Sequence, residues 1–177
     1  MTVTEGGGTP APVGVDRVVA RAGETAPAVW AMGMLSEQLV SGADTGGQLS
    51  ASLVTHRPGA ASPLHVHTRE AEAWYLLEGT MTYRAGEQLV RLTAGDFIYL
   101  PRSVPHAFRI TGATPARFLA LTLPSGLMTI YDEIGRPAIE RRLPDAGVSP
   151  ADVQRWLEAA PRYGLRVVGP PISEDEA

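Results

Sequence analysis

Residues 59–79 read GAASPLHVHTREAEAWYLLEG, and this glycine-bounded stretch decides how the rest of the chain is read. His65 and His67 stand two residues apart, so on an extended strand both side chains point to one face and Val66 to the other. Glu72 has the opposite parity, which requires a turn through Thr68, Arg69 and Glu70. On the strand that follows, Glu72, Trp74 and Leu76 share the inward face. His106 arrives one strand pair later, in GDFIYLPRSVPH. The chain has four histidines, and three of them fall in this constellation. Imidazole nitrogens converging with a carboxylate suit one divalent transition metal, whether iron, nickel, cobalt, manganese, copper or zinc, with positions open for water or substrate.

Outside this stretch the pattern is one of short runs. From residue 25 to residue 123, segments such as QLSASLVTHR, TMTYR, QLVRL, FIYLP, HAFRI and ARFLALTL alternate with turn chemistry such as SGADTGG, PGAASP, TAGD and TGATP. Runs this short and evenly spaced argue for an antiparallel sandwich or barrel. VWAMGML reads as one run. In FIYL and FLAL both parities are apolar, as expected of strands covered on both sides. Residues 1–24, rich in Gly, Pro, Thr and Ala, read as a flexible arm. Residues 124–177 change period and are expected to form a short helical extension and tail. Ser125 is the expected N-cap of a helix ending before Gly135. Ser149, Pro150 and Asp152 mark the start of a second helix with a capping box. Both helices and the GPP tail are expected to close one barrel mouth.

Composition removes whole classes of function. At 177 residues the chain fits one domain. A net charge of −4 offers no footprint for nucleic acid. No apolar run approaches the roughly 20 residues of a membrane span, and no signal-peptide pattern opens the chain, so a cytoplasmic location is expected. Cysteine is absent, which excludes disulfides, thiolate nucleophiles and sulfur-ligated metals. Every cationic side chain other than histidine is arginine, so lysine Schiff-base chemistry is excluded too.

The spacing G-x5-H-x-H-x4-E-x6-G, filled by Gly59, His65, His67, Glu72 and Gly79, resembles the first signature of the cupins. The second, G-x5-P-x-G-x2-H-x3-N, is matched at Gly95, Pro101 and His106, and departs at Ser103, where the pattern has Gly, and at Ile110, where it has Asn. The resemblance implies an all-β, jelly-roll-like antiparallel barrel with His65, His67, Glu72 and His106 as ligands to one metal. Residues 45–170 resemble, less specifically, the quercetinase-like single-domain branch. That branch implies a dioxygenase whose partners are a flavonol-like or other enolisable aromatic small molecule and dioxygen. Glu72 would be both ligand and base toward the substrate hydroxyl, and ring opening would release carbon monoxide. A homodimer through exposed barrel strands is also implied.

By parity, Trp74 and Phe108 are expected to line the substrate pocket, and Tyr99 to join them. For Phe97 and Tyr99 ordinary barrel core is the competing reading. His56 lies outside the signature and is expected at a strand end or on the surface. Glu70 is a possible substitute ligand whose turn position favours solvent. Fold and ligand set leave open a non-oxidative cyclase, isomerase or lyase using the metal as Lewis acid, and a non-catalytic ligand-binding protein.

Overall fold

The computed structural model describes residues 20–177, so most of the arm expected over residues 1–24 lies outside the described residues. The described chain is built on two antiparallel sheets packed face to face. The first contains β1 (Ala28–Ala31), β2 (Met34–Val40), β3 (Ser50–His56), β5 (Ala71–Glu78), β8 (Phe97–Leu100), β10 (Ala116–Leu123) and β11 (Arg136–Pro137), in the order β11-β1-β2-β3-β10-β5-β8. The second contains β4 (Leu64–His67), β6 (Thr80–Ala85), β7 (Gln88–Thr93), β9 (His106–Ile110) and β12 (Leu165–Gly169), in the order β12-β4-β9-β6-β7.

Period-two alternation builds the core. Along β10, Ala116, Phe118, Ala120 and Thr122 are buried, and the residues between them are more open. Trp74 and Leu76 face inward beside them, opposite Ala120 and Phe118. Met81, Tyr83, Phe108 and Ile110 meet them from the second sheet in one apolar cluster. Each fully buried large side chain contributes about 1.5–3 kcal/mol.

The run VWAMGML is two strands and not one. Ala31 pairs with Met34 across a two-residue loop in which Met32 (φ 47°) and Gly33 (φ 71°) are both left-handed. This is the turn whose twist matches a hairpin. A non-glycine residue there costs about 1–2 kcal/mol, and the result is that Met32 enters the wall of the central cavity. The strand FIYL also differs from expectation. β8 is the edge of its sheet, and its outward residues are exposed, not covered.

The C-terminal segment supplies more than helices. α1 (Thr129–Ile134) starts later than expected, with Met128 at its N-cap and no side-chain cap. Ser125 does not cap it, because Gly126, at φ 135°, breaks the path first. Gly135 ends it as expected. α2 (Pro150–Ala159) has the expected capping box. The Asp152 amide donates to Ser149 Oγ and the Ser149 amide donates to Asp152 Oδ2. A 3-10 turn, Ala160–Tyr163, comes next, and then the chain adds β12 to the second sheet, directly against β4. Leu127, Ile130, Trp156, Ala159, Ala160 and Leu165 form a second apolar cluster that joins these pieces. No helix among the described residues is long and apolar enough to cross a membrane.

Candidate metal centre and its cavity

β4 and β9 pair at a single register point, His65 opposite His106. His67, two residues along β4, shares that face. The bend over Thr68–Glu70 then reverses parity as the sequence requires and brings Glu72 in from β5. One nitrogen from each of His65, His67 and His106 lies within 4.8 Å of the other two. Their rings are 4.4–5.0 Å apart. Glu72 stands beside this trio, its Oε2 3.6 Å from His106 Nε2. All four residues are buried.

The hydrogen bonds around the rings suit a metal. His65 Nδ1 lies 2.8 Å from Pro63 O, and His106 Nδ1 lies 2.8 Å from Val104 O. A carbonyl only accepts, so each Nδ1 carries a proton, and in the neutral ring the lone pair is then left on Nε2. His106 Nε2 is buried with no hydrogen-bond partner of its own. This backbone anchoring of the far nitrogen is the usual way to orient a ligating imidazole. Burial lowers His65 to about 3, helped by His106 and His67. Burial also lowers His67, against the pull of Glu72. Burial thus favours the neutral form of His65 and His67, the form that binds metal. For Glu72, burial alone would raise the carboxyl. The contact with His106 and the nearby His67 outweigh it and hold the group down to about 2. The donor set fits a divalent transition metal.

A cavity of about 610 Å³ opens onto these residues and is mostly apolar. Trp74 and Phe108 line it as expected, with ring centroids 5.1 Å apart. Tyr99 does not. Tyr99 pairs with Ala73 on the outward side of β5 and β8 and is 57% exposed. Phe97 shares that outward face, so neither the pocket nor the core reading holds for it. Glu70 corrects the expectation in the other direction. It is buried, not solvated, with Oε2 unpartnered, and burial raises its carboxyl. His56 is likewise buried in the cavity wall and not on the surface.

Other cavity residues escaped the sequence reading altogether. Tyr83, fully buried on β6, stacks on His106 at 6.2 Å. Its inward parity was legible, but nothing in the sequence paired β6 with β9. Trp156 on α2 meets His65 edge-on at 6.3 Å, and Tyr131 on α1 joins the same wall. The apolar face of α2 was a usable signal for Trp156, although its target was not. The tail borders the cavity: Pro171 lines it, Leu64 N donates to Pro170 O, and Arg109 Nε donates to Ile172 O.

Two antiparallel sheets enclosing three clustered, buried histidines define a β-barrel with a cluster that could hold a metal ion. The "Cupin domain" family matches residues 52–122. The matched segment holds His65, His67, Glu72 and His106, and it is the part of this chain that is similar to the cupins. It is 26% identical over 122 residues to quercetin 2,3-dioxygenase of Bacillus subtilis, covering 69% of this chain and 36% of that protein. It is 30% identical over 93 residues to the xanthan biosynthesis protein XanB of Xanthomonas campestris, covering 52% of this chain and 20% of that protein. The chain thus spans about a third or less of these relatives' length. Among solved structures, a predicted oxalate decarboxylase from Thermotoga maritima superposes with a TM-score of 0.55 at 24% identity. The match covers 60% of this chain and 98% of that one, and shows the fold alone.

Proposed function

We propose that this chain is a metal-dependent dioxygenase acting on a flavonol-like or other enolisable aromatic small molecule. The observation that carries the proposal is the apolar cavity of about 610 Å³ opening directly onto three clustered, buried imidazoles and the Glu72 carboxylate. Such a cavity suits a flat, mostly apolar ligand with one oxygen to be recognised. It is poorly suited to a sugar, whose many hydroxyls would meet few partners. The similarity to quercetin 2,3-dioxygenase supports the same reading.

His65, His67, His106 and Glu72 would hold one divalent transition metal. When bound, such an ion supplies Lewis acidity and, for redox-active metals, electron exchange with dioxygen. Trp74 and Phe108 would hold the substrate rings. Glu72 would take the proton of the enol hydroxyl onto its carboxylate. A group held near 2 is a weak base, so this transfer requires the charge left on the substrate oxygen to be stabilised at the same centre. Trp156 and the tail would keep water out. In the net reaction both atoms of dioxygen enter the organic product, the ring opens and carbon monoxide leaves.

The test is metal analysis of the purified protein, followed by an oxygen electrode with quercetin, using metal-depleted His67→Ala as control. Oxygen uptake matching substrate loss supports the proposal. Substrate conversion without oxygen would favour an isomerase or lyase, and tight binding with no conversion a binding protein. A homodimer is part of the proposal. Tyr75, Leu77, Phe97 and Tyr99 leave an apolar outer face on β5 and the edge strand β8. Sedimentation equilibrium showing only monomer at micromolar concentration would remove it.

A further inference from the structure

His56 ends β3, outside the metal-binding signature, yet it is buried in the cavity wall. Its ring lies between two aromatic neighbours, tilted 5.2 Å from Phe108 and stacked 6.2 Å from Phe118. Phe108 shares the inward face of β9 with His106, a step of about 7 Å along the strand. Along β10, His56 pairs with Ala116 and Glu72 with Thr122, at opposite ends of the strand, so His56 stands at the end of the cavity away from Glu72 and the three clustered histidines. Its Nδ1 is buried with no hydrogen-bond partner. A phenylalanine would stack on Phe108 and Phe118 as well, without leaving a buried polar atom unpaired at a cost in stability. Burial lowers the ring to about 4, and Arg57 adds to this, so it is neutral at neutral pH. A neutral imidazole offers one N–H and one lone pair, the complement of a hydroxyl group.

We infer that His56 is a specificity-determining residue that hydrogen-bonds a second oxygen of the substrate, a ring hydroxyl remote from the oxygen that faces the histidine cluster. This rests on the reading of the cavity as the substrate site. The cavity would then read its ligand at two points, with Trp74 and Phe108 holding the rings between them. Aromatic compounds bearing a hydroxyl at the far ring would be preferred over those without one.

Calorimetry on the purified, metal-containing protein under nitrogen tests this with flavonol itself, galangin, which adds hydroxyls to the fused ring, and kaempferol, which adds one more to the pendant ring. Phenol against benzene serves as a small-molecule pair. In the wild type at least one added hydroxyl should raise affinity about tenfold or more. That gain should vanish in His56→Phe and largely persist in His56→Gln, which keeps a donor and an acceptor. Should His56→Phe not fold, 15N spectra of the wild type report the same contact, because the His56 ring nitrogens should shift with the hydroxylated ligand and not with its partner. An equal gain in wild type and His56→Phe, unshifted His56 nitrogens, or no gain from any hydroxyl would overturn the inference. Oxygen uptake by the same protein preparations and ligands, measured separately in air-saturated buffer, separates the two readings. A His56-dependent gain without uptake removes the dioxygenase and leaves His56 in place. Uptake with no His56-dependent gain does the reverse.

Discussion

His65 is approached from two sides by regions built on different physics. From the barrel side, His106 is set opposite it by a strand register, and both rings are locked by backbone carbonyls two residues upstream. From the C-terminal side, Trp156 reaches the same ring from a helix held by apolar packing in a separate cluster. A register slip in the barrel would turn every inward side chain outward, so that wall is rigidly specified. Packing of a helix on a mouth tolerates small shifts. In the proposed dioxygenase this difference becomes a division of labour: the barrel wall would carry the chemistry, and the C-terminal wall would shape and dry the cavity.

Glu72→Gln gives the hardest test of that division. It keeps the size of the side chain but removes the charge and most of the basicity. Turnover per bound metal should fall by roughly 10²–10⁴-fold, the usual share of a positioned base. Normal turnover per metal would remove the base role and leave Glu72 as a ligand only.

Trp156→Ala probes the opposite wall. Removing this buried ring should cost about 3–5 kcal/mol of stability and raise KM, while the metal stays bound. A loss of turnover per metal as large as that of Glu72→Gln would collapse the distinction between the walls.

A smaller effect comes from pH. In the folded chain burial lowers His56 to about 4 and His65 to about 3, against 6.5 when unfolded. Above pH 6.5 both states leave these rings neutral, and the folded state has its full stability. Below it the unfolded chain takes up protons that the folded chain refuses, so stability falls as pH drops through the window from 6.5 toward 4 and 3. Each group contributes up to about 1.4 kcal/mol per pH unit, or about 2 kcal/mol between pH 7 and pH 5. Urea unfolding of chelator-treated protein at these two pH values measures it. Trp156→Ala, by wetting His65, should flatten the fall. A stability that does not change with pH would contradict the buried neutral state.

The smallest effect lies at Ser103. Its φ is 66°, left-handed, and its amide donates to His67 O at 2.9 Å, tying the turn before β9 to β4. The second signature has glycine here because only glycine takes that conformation without strain. Ser103→Gly should therefore stabilise the fold by about 0.5–1 kcal/mol, the relieved strain being partly offset by a more flexible unfolded chain. A lowered melting temperature would show that Ser103 makes a compensating contact.

The barrel strands and the grouping of His65, His67 and Glu72 were legible in the sequence because both rest on local rules. Period-two alternation placed Trp74 and Leu76 inward with Glu72, and the spacing His65-x-His67 with the parity change before Glu72 placed those three on one centre. The helix from Pro150 was legible because its capping box is a local hydrogen-bond exchange. Tyr99 shows where the rule stops. Its strand is apolar at both parities, and only its place at the sheet edge leaves one face uncovered.

What the sequence by itself determined, then, was the alternation, the turns and the shared face of His65 and His67, since each depends on contacts within a few residues. Only the tertiary structure decided that residues 165–169 add a strand against the histidine strand, that Trp156 and Tyr83 face the site, and that His56 is buried with an unpaired nitrogen. Those facts depend on pairings between segments distant in sequence, selected by the apolar surface the whole assembly buries, and no local pattern encodes which partner a face will find.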